Sequence, residues 1–240
     1  MPSSKKSPSK TAVSPPIETI LTTLTKTFPD HPMDTVTQNN PFKVLVGCII
    51  SLRTKDEVTM AACERLFAAA DTPKAMAGLD LETIRQLIYP AGFYKTKAVT
   101  IQTICQELVT RFNSVVPDDI ETLLTFKGVG RKTANLVVGL GFGKPAICVD
   151  IHVHRISNRL GYVKTKDPEA TEWALREKLP PHLWSVINWV LVRHGQEICK
   201  PIGARCDVCP IEHHCPKIDV KARKSPKESA TTQWVKTLEK

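Results

Sequence analysis

Apolar positions along the 240-residue chain recur three or four residues apart, and strong helix-start signals separate the runs. Asp80 stands before Leu81, Ile84, Leu87 and Ile88, a capping residue followed by one apolar face. Residues 96–112 repeat that spacing, and residues 181–194 form a further helix that Gly195 is placed to end. Thr72-Pro73 and Asp167-Pro168 each put a capping side chain before a proline at the first helical position. The continuous apolar run Val44–Leu52 also fits a buried strand, but Pro41 and its helical neighbours assign it to a buried helix. Asp118 and Asp119 cap a helix carrying Ile120, Leu123 and Leu124. After the turn Lys127-Gly128-Val129-Gly130, a helix resumes at Arg131 with Ala134, Leu136, Val137 and Val138 to pack. No hairpin signal and no internal repeat interrupts this pattern, so the expected class is all-α.

Composition narrows the setting. Hydrophobic residues at 42% and charged residues at 24% are ordinary globular values. No apolar run reaches transmembrane length, and the first 16 residues lack the apolar core of a signal peptide. They also lack arginine and hold several prolines, unlike a transit peptide. The expectation is a soluble, intracellular protein, in the cytoplasm or nucleoid if the source is prokaryotic. The net charge of +9 sits mostly at the ends: residues 1–16 read as a disordered basic tail and residues 224–240 as a flexible one. Within the body, residues 127–159 hold Lys127, Arg131, Lys132, Lys144, Arg155 and Arg159 against Asp150 alone. Such an excess fits either a phosphate-backbone footprint or a solvated helix face.

The eight cysteines fall into two groups. Cys48, Cys63, Cys105 and Cys148 lie singly in apolar segments, as small buried hydrophobes do. Cys199, Cys206, Cys209 and Cys215 follow a C-x6-C-x2-C-x5-C spacing, close enough to hold zinc or an iron–sulfur cluster. One knuckle with unequal flanks, interleaved with Pro201, Pro210 and Pro216, leans toward a loop wound around [4Fe–4S].

The glycine turn offers backbone N–H groups to an anion, with one DNA phosphate the natural guest; plain helix packing is its other reading. Both Gly128 and Gly130 are free to take positive φ there. Lys132 lies in the first turn of the second helix, where the dipole disfavours a further cation and favours the neutral amine of a nucleophile. Asp150 ends an apolar run and starts a helix, so it fits either a cap or a carboxylate that moves protons or stabilises a cationic sugar. His152 and His154 alternate with valine and read as structural or phosphate-facing residues.

Together, LTFKGVGRKTANLVV, VDIHVHR and the cysteine spacing resemble the endonuclease III family of DNA glycosylase/AP lyases, over roughly residues 17–220. The resemblance implies a two-lobed helix–hairpin–helix fold: a six-helix lobe over 34–144, an iron–sulfur lobe from 17–33 and 145–223, and a DNA cleft between them. It implies a monomer acting on double-stranded DNA with damaged bases or abasic sites, with no membrane partner. Lys132 becomes the Schiff-base nucleophile, Asp150 the catalytic carboxylate, and Cys199, Cys206, Cys209 and Cys215 the [4Fe–4S] ligands. The implied activity removes oxidised pyrimidines and cuts 3′ to the abasic site by β-elimination. Gly128, Val129, Gly130, Arg131 and Lys127 would hold the strand, and Lys200 and Arg205 would add phosphate contacts. Arg53 and Phe93 would enter the gap left by the flipped nucleotide. Bacterial relatives usually carry Gln at the Arg53 position, often Leu at the Phe93 position and usually Pro at the Lys127 position. A monofunctional adenine or mismatch-thymine glycosylase shares the hairpin, Asp and cluster but usually lacks the lysine. A non-catalytic DNA-binding protein with a structural metal shares the rest.

Overall fold

The computed structural model describes residues 15–29, 37 and 39–222. Most of the expected N-terminal tail, all of the C-terminal one and the expected boundary at 33/34 lie outside the described residues.

Capping decides where most helices start. Asn40 accepts from the backbone of Phe42 and Lys43 and opens α2 (Pro41–Ser51), so the apolar run is the buried helix expected. α1 (Ile17–Thr27) precedes it and α3 (Asp56–Ala69) follows. Thr72 caps α4 (Pro73–Ala77), Asp80 caps α5 (Leu81–Ile88) and Asp119 caps α7 (Ile120–Leu124). Asp150 caps α9 (Ile151–Arg159) and Asp167 caps α10 (Pro168–Lys178). Each such side-chain cap contributes about 1 kcal/mol. Asp118 does not cap: its carboxylate lies 2.5 Å from Lys144 Nζ. α6 (Tyr94–Phe112) starts two residues earlier than its apolar spacing indicated, after Phe93 in the left-handed region. α8 (Arg131–Leu136) widens into a π turn over Val137–Gly141, where Gly141 runs against Pro41 so closely that a Cβ would sit 2.7 Å from Pro41 Cα.

Gly195 does not end the last long helix. α11 (Trp184–Glu197) follows a 3₁₀ turn at Pro181–Leu183 and runs through Gly195 to a cap at Ile198. The glycine serves packing instead: a Cβ there would stand 2.3 Å from His152 Nδ1. A two-stranded parallel pair, β1 (Ile202–Ala204) and β2 (Lys221–Ala222), is the one sheet among the described residues.

Apolar side chains gather into two clusters. One runs from Phe42 on α2 to Ala146. The other joins Ile17–Phe28 of the α1 region to side chains between Ile147 and Ile211. The chain crosses from the first to the second at Ala146–Ile147, which sets α8 and the start of α9 against each other across that crossing. No helix among the described residues is long and apolar enough to cross a membrane.

Gly195→Ala is expected to destabilise the protein by about 1–3 kcal/mol, because the methyl group meets a packed imidazole. That loss outweighs the roughly 1 kcal/mol that alanine gains over glycine inside a helix. Urea unfolding of the two proteins side by side measures the difference.

Candidate active site

Asp150 divides its two carboxylate oxygens between two jobs. Oδ1 accepts from the backbone N–H of His152 at 2.8 Å and of Val153 at 2.9 Å. Oδ2 faces Lys132 Nζ at 3.6 Å, an ion-pair distance longer than a hydrogen bond. The carboxylate is 10% exposed and the lysine side chain 46%, so the amine stands at the surface over an almost buried base. Beneath Lys132 opens a cavity of about 120 Å³, with walls from α2 (Cys48, Ser51), α3 (Thr59, Met60) and α11 (Asn188, Trp189). Asn188 also donates to the Cys148 carbonyl at 3.2 Å, tying α11 to the segment that delivers Asp150. This arrangement places an amine, a carboxylate and a recess together. The resemblance in motif paired the first two, but the wall residues carried no signal because they come from three separate helices.

In the hairpin, Gly128 has φ +93°, and a Cβ there would stand 2.8 Å from Thr100 Cγ2. Gly130 is extended at φ −100°, so only one of the two glycines uses the left-handed region. A Cβ at Gly130 would meet nothing within 4 Å, so the protein's own packing does not require glycine at that position. Val129 is buried and donates its backbone N–H to the Phe126 carbonyl at 3.0 Å, so neither its side chain nor that N–H is offered to a ligand as the sequence suggested.

The basic stretch 127–159 forms no single outward footprint. Arg131 makes two hydrogen bonds to Glu172, at 2.8 and 3.2 Å, and stacks over Trp173 at 5.2 Å. Lys144 is paired with Asp118. Arg155 donates to the carbonyls of Gly195 and Cys199, and Arg159 to those of Cys199, Lys200 and Pro201. The three arginines spend their charge inside the protein, Lys144 is exposed but paired with Asp118, and Lys127 and Lys132 are the other exposed cations of the stretch. His152 bonds Arg155, and His154 bonds Thr171 and Asn158, both structural roles.

Glu172 was invisible to sequence reasoning, yet it gathers Arg131, Arg176 and Asn135 around one buried carboxylate. Burial opposes its ionisation, but the hydrogen bonds from Arg131 and Arg176 outweigh that and hold its pKa below the usual range. The contact fastens α8 in the first apolar cluster to α10 in the second.

Arg53 and Phe93, far apart in sequence, meet. The guanidinium lies 5.5 Å over the Phe93 ring, and both residues have positive φ, 52° and 58°. Phe93 is 63% exposed. Left-handed backbone costs about 1–3 kcal/mol per non-glycine residue and persists only where surroundings enforce it.

The four C-terminal cysteines ring one cavity together with Ile156, Leu160 and Ile211. Arg159 donates to Cys199 Sγ at 3.3 Å, and His194 Nε2 lies 3.8 Å from Cys209 Sγ. Four thiols, an apolar lining and a buried guanidinium against sulfur suit an anionic sulfur-ligated cluster. Among the described residues no three ligating side chains converge tightly enough for a single metal ion. By contrast, burial pushes the Cys48, Cys63 and Cys105 thiols up to about 12, as inert core residues. Lys200 and Arg205 are exposed beside this loop.

These features define a helix–hairpin–helix repair scaffold, and residues 46–181 match the family model described as HhH-GPD superfamily base excision DNA repair protein. The chain is 45% identical to endonuclease III of Thermotoga maritima over 83% of this chain and 92% of that one. It superposes with a TM-score of 0.75 on a non-covalent endonuclease III–DNA complex, at 35% identity over 84% of this chain and 94% of that one. A trapped endonuclease III–DNA covalent intermediate gives a TM-score of 0.73 at 34% identity over the same shares. The chain belongs to the endonuclease III family.

Glu172→Gln is expected to destabilise the fold by about 2–4 kcal/mol, because two arginines lose their common counter-ion while remaining partly solvated. The depressed pKa makes this contribution fully present above the ordinary glutamate value of about 4.3, and it is lost as pH falls through the lower folded value. Unfolding free energies from pH 6 down to about 3 test this: the unaltered protein loses stability across that window, and Glu172→Gln shows a shallower slope.

Proposed function

We propose that this protein is a base excision repair DNA glycosylase with AP lyase activity, which removes oxidised pyrimidines from double-stranded DNA and cuts 3′ to the resulting abasic site. The observation that carries the reading is the Lys132 amine, exposed at the mouth of the cavity with the uncommitted oxygen of Asp150 at 3.6 Å. In this reading the body 34–144 and the body formed by 17–33 with 145–223 are two lobes, and damaged or abasic duplex DNA lies across their junction.

The target nucleotide leaves the stack at a cost of a few kcal/mol, less where the base is badly paired. Asp150 Oδ2 takes a proton from the Lys132 ammonium, and the neutral Nζ attacks C1′ of the deoxyribose. The bond between C1′ and the base breaks, and the base departs with its electron pair and takes up a proton. Opening of the sugar ring at O4′ leaves a Schiff base between Nζ and C1′. Loss of a C2′ proton then expels the 3′ phosphate oxygen, and water releases the lysine. Asp150 meanwhile offsets positive charge on the sugar.

The backbone of Gly128, Gly130 and Arg131, with the Lys127 side chain, grips a phosphate near the target, while Val129 anchors the turn from within. Arg53 and Phe93 fill the gap in the stack. Cys199, Cys206, Cys209 and Cys215 would hold a [4Fe–4S] cluster, which supplies a covalent cross-link to the loop carrying Lys200 and Arg205 toward DNA.

Borohydride reduction during incubation with a thymine-glycol duplex is expected to trap a protein–DNA adduct. Lys132→Ala should abolish the adduct and strand cutting, and Asp150→Asn should slow both by about 10²–10⁴-fold. An adduct that persists in Lys132→Ala would assign the chemistry to another amine; no adduct beside released base would indicate a monofunctional enzyme. The purified protein should show broad visible absorption that Cys209→Ala removes, whereas a colourless protein containing zinc would exclude the cluster.

A further inference from the structure

Lys97 lies on the buried stripe of α6 with Ala98, Ile101, Ile104, Cys105 and Leu108, and only 5% of it is exposed. A lysine in an apolar stripe needs partners for its charge. Its Nζ finds three at the end of α2, donating to the Ile50 carbonyl at 2.7 Å, the Leu52 carbonyl at 2.5 Å and Thr54 Oγ1 at 2.8 Å. An ammonium has three hydrogens, so none remains for a substrate. The same Thr54 Oγ1 accepts the backbone N–H of Gly92 at 3.1 Å. Gly92 approaches so closely that a Cβ would stand 2.4 Å from the Arg53 carbonyl oxygen. Lys97 also donates its backbone N–H to the Phe93 carbonyl at 3.0 Å. One residue thus binds both loop tips, its main chain holding Phe93 and its side chain holding the turn that carries Arg53.

We propose that Lys97 is a positioning residue: through Thr54 it clamps the Arg53 and Phe93 loops in the single relative placement that fills the gap opened by an extruded nucleotide. The proposal rests on the functional reading above. Both tips are held with positive φ and the Arg53 guanidinium over the Phe93 ring. Two tips that enter one base-pair gap from separate loops must keep their spacing to within a fraction of an ångström, which loops alone do poorly. Without the ammonium, the Ile50 and Leu52 carbonyls lose their shared donor, Thr54 Oγ1 loses the group that fixes it, and the Thr54–Gly92 hydrogen bond is left to hold the two turns.

The test compares cutting of one abasic strand alone and in duplex by the full-length protein. A single strand has no gap to fill, so a clamp affects only the duplex. Lys97→Met is expected to lower the ratio of duplex to single-strand cutting by about ten- to a hundredfold. Thr54→Val, which keeps the side-chain shape, should lower it in the same direction. On an Arg53→Ala/Phe93→Ala background, Lys97→Met should lower the ratio no further. Thermal unfolding of each variant separates this effect from loss of fold, which reduces both substrates together. An unchanged ratio in both single variants, or an equal fall on both substrates, overturns the clamp. If the unaltered protein leaves the abasic duplex uncut, the functional reading fails, and the clamp fails with it.

Discussion

A single buried carboxylate, Glu172, holds the two halves of the molecule in the relation on which the site depends. Lys132 belongs to a helix packed in one apolar cluster, while Asp150 caps a helix packed in the other. The covalent chain joins them through only a short crossing, which leaves their separation to be set by contacts beyond it. Glu172 meets that need by accepting two hydrogen bonds from Arg131, immediately before Lys132, while it also binds Arg176 on its own helix. A buried charge is costly unless fully paired, so the contact has one satisfied geometry and resists sliding. The Asn188 bond to the Cys148 carbonyl adds a second tie beside Asp150.

Against that fixed frame, the chemistry follows from a division of labour within Asp150. An acidic cap is a stability device, and Asp80 spends both of its oxygens on one, whereas the Asp150 cap uses Oδ1 alone. The other is held by the cap's own hydrogen bonds at a defined distance from the amine. The base is therefore oriented by helix formation itself, without a dedicated support. The same economy recurs at the loop tips, where Thr54 both receives Lys97 and holds Gly92.

The distribution of arginine explains how a basic stretch in sequence becomes internal scaffolding. Arg155 and Arg159 sit on the face of α9 that meets the cysteine loop, where carbonyls of Cys199, Lys200 and Pro201 point inward without strand partners. A guanidinium satisfies several such oxygens at once, which lysine's compact ammonium does less well. Lys127 and Lys132 of the hairpin and Lys200 and Arg205 of the cysteine loop stay exposed.

Local rules in the sequence determined the helices, their caps at Thr72, Asp80, Asp119, Asp150 and Asp167, the buried nature of Val44–Leu52 and the division of the cysteines. Each depends on residues within one or two turns, where capping and apolar periodicity act. The Lys132–Asp150 pair was also legible, because a resemblance in motif carried it across eighteen positions. Only the tertiary structure decided that Gly195 lies inside a helix, since the reason is an imidazole more than forty residues earlier in the chain. It alone turned Arg131 inward to Glu172, set Phe93 against Arg53, and gave Lys97 its three oxygens. Those choices pit one distant group's desolvation against another's hydrogen bonds, and a linear pattern contains neither the distance nor the burial that settles the outcome.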